Sequence, residues 1–548
     1  MKLKLYCLFL LYSLTAGGLL AQHVLKGEVV GKSDQQAFPG ATVIANGNST
    51  AVVITDADGQ FTINLGQPTG QLTVSFIGMK TVTVPYDAAQ FIKIELEEEI
   101  SALNEIVVIG YGTSKRQDLT TSVSSLDNVS KAVDRPVSSA QAMLQGQMAG
   151  VTVVSNSGDP GATPSVMIRG RGTFNSEEPL YVVDGMPYYG ARINPNDIES
   201  ISVLKDAAAA AIYGAQAASG VIVITTKSGK SGAPKVAFDF YQGWQSAYKT
   251  PQALTAPEYA QAYTQAAEHA GTTPNPAHDP SANPWGQVQR TNWMDEIFQT
   301  GAITNANIQF SGGSDRSRFS SSFGYHKKEG LLLNTEFEMF SLRLKSDFDL
   351  TEKLRVGQNI YMSHSAAFGA NTNSSYSGAI INAIYMNPAA PVYDEFGKFH
   401  GTVPFELSQF AGAYGDTYNP VGLLLRPTRK APRLNLNASA FAEYDILENL
   451  TFKSTFSIDL WNYRDKTFSP RSPEIGRPSN MNFLDQSSGS SSRWIWDQQL
   501  NYFKRFGKHN LSATLVYTAQ YRTEESSNYR VQDFDREDDW FQDRKSVV

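Results

Sequence analysis

The chain has 548 residues, too many for one ordinary domain and enough for about three, each with a core of its own. Charged residues make up 18% and hydrophobic residues 41%, with 29 Phe, 25 Tyr and 43 Gly, a balance that excludes disorder and coiled coil and favours sheets rich in aromatics and turns. The net charge of −7 is mild for this length, and no Lys/Arg run interleaved with aromatics offers a groove for nucleic acid, which is excluded as a partner.

Residues 1–21 follow an export pattern. Lys2 and Lys4 precede an apolar stretch over 5–20, and cleavage is expected after Ala21. The alternative, a membrane anchor, falls short of the roughly 20 residues that a spanning helix needs. The one cysteine, Cys7, lies inside this stretch, so a cleaved chain would hold no disulfide and no lipid-bearing N-terminal cysteine. No later segment is apolar for the roughly 18 residues a spanning helix requires, so membrane residence would require a barrel.

Over 23–98, short β-rich runs (LKGEVVG, FPGATVIA, AVVITDADGQFTINL, QLTVSFIGM, KTVTVPY, FIKIELE) alternate with turns, the tightest at Asp58-Gly59. This spacing predicts a small antiparallel sandwich. The runs Pro39-Gly40-Ala41-Thr42-Val43, Thr55-Asp56-Ala57-Asp58-Gly59-Gln60-Phe61 and Val74-Ser75-Phe76-Ile77-Gly78 resemble the carboxypeptidase-regulatory-like domain. The resemblance implies an accessory fold and no peptidase chemistry.

The segment 104–136 opens with a brief β-forming run, Glu105, Ile106, Val107, Val108 and Ile109, closed by Gly110 and Gly112 and followed by polar TSKRQDLTTSVSS. A lone β-run on a polar tether can add itself to the edge of a partner's sheet through main-chain bonds. A linker strand packed on the sandwich is the other reading. The run resembles the TonB box of SusC-like receptors.

Within 137–230 the pattern predicts a compact α+β unit. A helix is expected over 141–148 with Gly150 as its stop, and strands over 151–154, 166–170 and 180–183, the last ending in an Asp184-Gly185 turn. A strand over 201–204 then leads to Asp206 as N-cap of an alanine-rich helix over 207–213, closed by Gly214, and a β-branched strand over 221–226. The run Pro179-Leu180-Tyr181-Val182-Val183-Asp184-Gly185, followed by Asn194-Pro195-Asn196-Asp197-Ile198-Glu199-Ser200, resembles the plug of TonB-dependent receptors, specifically the SusC-like kind. Arg169, Gly170, Asp184, Gly185, Asp197, Lys205, Asp206, Tyr213, Gly214, Gly220 and Lys227 carry that signature. Gly185, Gly214 and Gly220 are equally explained by turns and close packing.

From 234 to 548, strand-length stretches alternate apolar and polar side chains, as in Leu450, Phe452, Phe456, Ile458 and Leu460 against Thr451, Lys453, Thr455, Ser457 and Asp459. Either a barrel in lipid or a soluble one-sided sheet has this period. Nine strands are expected, near 234–248, 302–314, 317–326, 336–349, 353–366, 432–447, 450–464, 491–505 and 508–523. Their links alternate strictly between short and long, the asymmetry of an outer-membrane barrel. Nine is an odd count for a single-chain bacterial barrel, and lumens that hold a plug belong to barrels of about 22 strands. The chain is therefore expected to supply the first part of a larger barrel, as a truncated product or a partial sequence.

The fold expected is mainly β: a β-sandwich, an α+β plug and about nine strands of a transmembrane antiparallel β-barrel. The resemblance implies outer-membrane import, energised by TonB, of a glycan or peptide nutrient together with a SusD-like surface lipoprotein. The sandwich and box would face the periplasm and the long loops the outside. A receptor that signals ligand occupancy and a non-transporting surface-binding β-protein are the rival classes. No cofactor, metal or catalytic residue is expected. His326 and Glu329 have a His-x-x-Glu spacing, yet the other histidines are scattered and the pair ends a strand. Trp285, Trp293, Tyr376, Tyr385 and Tyr393 in the long loops read as an interfacial girdle ahead of sugar-stacking rings.

Overall fold

A computed structural model describes residues 23–537, apart from 33–35, 47–50, 77–78, 98–105, 110–111, 116–122, 127–128, 130–136, 173–177, 190–191, 207–209, 371–373, 375–377 and 508. The expected signal peptide, Glu105 and Tyr376 lie outside the described residues. Two compact units divide the chain, Met1–Val107 with Thr113–Leu119, and Val108–Gly112 with Thr120–Val548.

The first unit packs two sheets. Strands β1 (His23–Gly31), β4 (Gln60–Leu65) and β7 (Ile92–Leu96) form one, in the order β4-β1-β7. Strands β2 (Thr42–Asn46), β3 (Ala51–Ile54), β5 (Thr69–Ser75) and β6 (Val82–Asp87) form the other, in the order β3-β2-β5-β6. Alternation in QFTINL turns Phe61, Ile63 and Leu65 inward, where they meet Leu25, Val29, Val43, Leu72, Val74 and Ile94. Contrary to the all-antiparallel expectation, β1 and β7 run parallel. The Asp58-Gly59 turn is present, with Gly59 at φ 71° and the Asp56 Oδ1 accepting from the N–H groups of Asp58 (3.0 Å) and Gln60 (2.8 Å). It carries the chain from one sheet to the other rather than closing a hairpin.

In the second unit, β10 (Val123–Leu126), β13 (Leu180–Val183), β14 (Met186–Tyr188), β15 (Ile198–Leu204) and β16 (Val221–Thr226) form a five-stranded sheet ordered β10-β15-β16-β13-β14. The central β16, VIVITT, is buried on both faces, which its unbroken β-branched run allows. Hairpin β11 (Val151–Val154) and β12 (Ser165–Ile168) packs with it around Met143, Leu144, Val166, Ile201, Ile222 and Ile224. The expected helix over 141–148 is only Ala140–Met143, capped by the Ser139 hydroxyl, because Gly146 and Gly150 at φ 71° turn the chain early. Of the alanine-rich helix expected over 207–213, residues 207–209 lie outside the described residues; the Asp206 backbone carbonyl accepts from the N–H of Ala210, and a 3-10 segment, Ala211–Ala217, continues across a kink at Gly214 (φ 70°) instead of stopping there.

Nine antiparallel strands in chain order make the large sheet: β17 (Gly232–Gln245), β18 (Gly301–Gly313), β19 (Ser317–Glu329), β20 (Glu336–Asp349), β21 (Leu354–Phe368), β22 (Thr428–Leu447), β23 (Leu450–Ser469), β24 (Phe483–Phe506) and β25 (His509–Gln532). One face exposes Phe310, Phe323, Phe340, Met362, Phe456 and Trp496, while the other buries Asn307, Ser322, Ser341, Arg343, Ser363, Asn437 and Asp459. That is an apolar outside and a polar inside. The last long link is shorter than expected, 470–482 instead of 465–490, since β23 and β24 pair continuously from Leu450↔Tyr502 to Ser469↔Phe483. Residues 487–490, expected in that link, belong to β24, for which both neighbouring strands supply a full ladder.

The long links are not loose. Trp293, Met294, Ile297, Leu332, Ala383, Met386, Val421 and Leu424 form one buried cluster, drawing on helices Trp293–Ile297, Ala379–Tyr385 and Pro420–Leu425. Trp293 is 2% exposed and donates its indole N–H to the Asn387 carbonyl at 2.9 Å. Trp285 stacks on His400 and carries Arg290 over its ring. These two tryptophans are core of a folded cap, which corrects the girdle expectation; Tyr385 and Tyr393 do remain exposed.

Candidate functional site

Asp184 and Gly185 form the two-residue turn between β13 and β14, at φ 48° and 88°. Both central residues of a type I′ hairpin need this left-handed backbone, which Asp and Gly tolerate best. The turn presents the Asp184 carboxylate to the large sheet. Its Oδ1 accepts from the Lys345 ammonium (3.1 Å) and the Thr226 N–H (3.1 Å), and its Oδ2 from the Asn359 amide (2.6 Å) and the Thr226 hydroxyl. Arg343, 1% exposed, stands 3.9 Å away and also donates to the Thr226 hydroxyl. Arg343 and Lys345 share a face of β20, and Asn359 of β21 is directly opposite Lys345.

A second contact lies beside the first. The Asn194 side chain caps the short 3-10 turn Pro195–Asp197, accepting from the Asn196 N–H, and its amide N donates to Asn307 (3.1 Å) and Ser341 (3.2 Å). Asn307, Gly324 and Ser341 form one rung across β18, β19 and β20, so the amide sits over Gly324. A Cβ at 324 would lie 2.2 Å from that nitrogen, which is why the rung's centre is glycine. Asp197 receives the Ser322 hydroxyl, and its carbonyl accepts the Lys227 N–H at 2.9 Å. The Tyr361 and Tyr188 hydroxyls both donate to the Arg192 carbonyl, and the Arg192 guanidinium lies 4.1 Å over Phe337.

The two aspartates are opposed electrostatically. Burial pushes the Asp184 carboxyl up, but Lys345, Arg343 and the two bonds from Thr226 outweigh it and hold the group below its usual range. Burial pushes Asp197 up, and the Ser322 bond and the Arg343 charge offset this only in part. A depressed carboxylate stabilises docking above its free value, near 3.9, and loses that contribution as pH falls through the docked value. The raised Asp197 has the reverse sign, favouring the docked state on protonation. Thermal unfolding of the detergent-solubilised protein is therefore expected to shift up slightly as pH falls from 7 towards the carboxylate range, then drop steeply below about 4. Asp197→Asn should erase the upper rise and spare the acid drop; a monotonic curve in both proteins would contradict the assignment.

The remaining signature residues brace the α+β unit internally. Arg169, at φ 60°, pairs with Asp206 at 2.5 Å and is followed by Gly170 at φ 85°. Lys205 donates to Ser124 (2.5 Å) and to the Ala149 carbonyl. Tyr213 packs beside Leu180, Leu204 and Val221, and a Cβ at Gly220 would meet Ile168 at 2.7 Å. Lys227 lines a 630 Å³ cavity beside β17 and β18. The structure thus joins Asp184 and Asp197 at the sheet and places Arg169, Lys205, Asp206 and Gly220 elsewhere. Sequence reasoning missed the sheet's half of the contact: Ser322, Gly324, Arg343, Lys345, Asn359 and Tyr361. The signal available was a pair of charges, Arg343 and Lys345, on the polar face of a strand whose other face is greasy.

His326 and Glu329 are three apart on a strand and so point to opposite faces. His326 lies buried against Phe337, and Glu329 accepts the Ala302 N–H. Among the described residues, no group of three or more His, Cys, Asp or Glu side chains could hold a metal.

Residues 115–221 match the TonB-dependent Receptor Plug Domain, and residues 25–108 the CarboxypepD_reg-like domain. The chain is 32% identical over 510 residues to TonB-dependent receptor P3 of Formosa agariphila, covering 90% of this chain and 48% of that protein. It is 33% identical over 422 residues to TonB-dependent receptor SusC of Bacteroides thetaiotaomicron, covering 73% of this chain and 38% of that protein. The chain thus spans about half the length, or less, of these curated relatives. Among solved structures, the RagAB peptide importer in its 'open-open' state shares the fold, with a TM-score of 0.65 at 24% identity over 79% of this chain and 50% of that chain. With both accessory and plug domains matched, and the plug seated on the polar face of an antiparallel sheet that is greasy on its other side, this chain belongs to the SusC-like TonB-dependent receptors.

Proposed function

We propose that the chain serves TonB-dependent import of a nutrient across the outer membrane. The observation that carries this reading is the plug itself, latched to the lumen wall by Asp184 through Lys345 and Asn359. A globule held on a polar wall by discrete bonds has a use if something later pulls it away. Cargo bound from outside would then pass, which is transport and not catalysis. The cargo is a glycan or a peptide; RagAB, whose fold is shared, is described as a peptide importer. A SusD-like lipoprotein is the partner expected at the outer face, with the sandwich and box in the periplasm.

Glu105, Ile106, Val107, Val108 and Ile109 are the segment offered to TonB. Strand β8 (Ile106–Ile109) pairs in a two-stranded sheet with β9 (Gly112–Lys115), part of the stretch expected to be a plain polar tether. Capture by strand addition therefore uses the other edge of β8 or displaces β9. Deleting Glu105 to Ile109 from the receptor should stop uptake of its cargo while surface binding persists. Uptake that survives the deletion would refute TonB-dependent import by this segment.

A further inference from the structure

The β13–β14 hairpin meets the lumen wall twice. Its turn carries Asp184 to β20 and β21, as described above. Tyr189, which follows β14, reaches β23 and β24 instead. Its backbone N–H donates to the Asp459 carboxylate, and the Arg493 guanidinium lies 3.5 Å over its ring. The Tyr189 hydroxyl donates back into the globule, to Gln216 Oε1 at 2.6 Å, which fixes the ring against the 3-10 segment Ala211–Ala217. On the β18–β21 side Asp184 is seconded by Asn194, Asp197 and the Arg192 carbonyl, all bonded to the wall. On the β23–β24 side the hairpin offers Tyr189.

The two contacts differ in what they leave behind when they part. Directly across from Arg343 and Lys345 stand neutral residues, Ser322 and Ser320 on β19 and Tyr361 and Asn359 on β21. Asp184 is thus the anion on which those two cations depend, and its departure strands both in the wall. The rung under Tyr189 is built the other way. Asp459 stands directly across from Arg493 on one side and on the other from Asn437, whose amide it accepts. When Tyr189 leaves, anion and cation compensate each other and Asp459 keeps Asn437 as a donor. Parting there uncovers a rung matched within itself, so it costs less than opening the latch.

We propose that Tyr189 is a releasable tie: it parts from Asp459 and Arg493 while Asp184 still holds β20 and β21, and the first gap in the lumen opens between the plug and β22–β24. Tyr189 acts as a positioning residue, since its release sets the side on which the gap forms. The latch at the turn and the tie beyond β14 sit at opposite ends of one short strand, so the hairpin can swing on the first as the second lets go. The inference rests on the import reading and adds to it the wall along which passage starts.

The test needs neither cargo nor TonB. A single cysteine replaces Ser457 or, in a second protein, Ser341 of the purified full receptor, both buried on the lumen face. Ser457 is two residues from Asp459 on the same face of β23, and Ser341 lies beneath Asn194 on β20. Labelling by a water-soluble maleimide is followed as urea is raised through concentrations at which the barrel stays folded. Ser457→Cys is expected to react at a lower urea concentration than Ser341→Cys. Tyr189→Ala, which removes the ring under Arg493, should speed labelling of Ser457→Cys about tenfold, the ratio for one lost cation–π contact in a desolvated site, and leave Ser341→Cys unchanged. Tyr189→Phe keeps the ring and the backbone N–H and should label at nearly the wild-type rate. Membrane yield and circular dichroism identify any variant that fails to fold. Ser341→Cys reacting first or at the same urea concentration, or Tyr189→Ala speeding both positions alike or neither, overturns the tie. If the order is lost while deletion of Glu105 to Ile109 still stops uptake, the tie falls and import stands; the order kept with uptake intact in the deletion is the reverse.

Discussion

Asp184→Ala is expected to unseat the plug, at a cost of about 3–5 kcal/mol, the usual penalty for removing one partner from a buried charge network. The carboxylate is 10% exposed and is the anion that compensates Lys345 at 3.1 Å and Arg343 at 3.9 Å, which are themselves 16% and 1% exposed. Removing it strands two cations in the lumen wall and frees the Thr226 and Asn359 donors. Cells carrying the variant should admit large antibiotics such as vancomycin, and the plug of the purified protein should become sensitive to protease. Asp197→Asn is the matched control, since burial already disfavours its charge. Equal vancomycin resistance in wild type and Asp184→Ala would show that the plug is held elsewhere.

Trp293→Ala is expected to open the cap built by the long links and spare the sheet. Its indole is enclosed by Met294, Ile297, Ala383, Met386, Val421 and Leu424, side chains from two long connections that have no sheet of their own. Truncating a buried aromatic costs about 3–5 kcal/mol, and the Asn387 carbonyl loses its donor as well. Whole cells treated with trypsin should then show cleavage within 246–300 and 369–427, at bonds such as those after Arg290 and Lys398, with the nine strands still resistant. Wild-type digestion rates in the variant would mean that the cap does not depend on this core.

The strands were legible because lipid and lumen impose opposite chemistry on alternate residues. Phe456 and Ile458 could not exchange faces with Ser457 and Asp459 in any stable register. That signal fades along the Ser487–Ser492 stretch, where both faces are polar and strand and loop look alike. The plug's signature residues could be recognised but not sorted. Asp184 and Arg169 both sit at positive φ, yet one bonds the wall and the other braces Asp206. Only the register of β20 against β21 shows which charges face Asp184, and register is a tertiary property. Trp293 was misassigned for a related reason: an aromatic in a long link carries no period, and its neighbours across the cap come from a segment about a hundred residues later.

Strand β10 lies at the edge of the five-stranded sheet and is held to β15 by four register pairs, from Val123↔Leu204 to Leu126↔Ile201. Residues 116–122, the stretch between β9 and β10, span at most about 23 Å when fully extended. A load carried along that stretch arrives first at Val123. It strains the rungs in sequence, together with the Lys205 bond to Ser124, before it reaches Asp184 or Asn194. The first element in the line of force is thus a fringe of the globule. A modest tug frays that border while the latch stays closed, and only sustained work travels inward to release it.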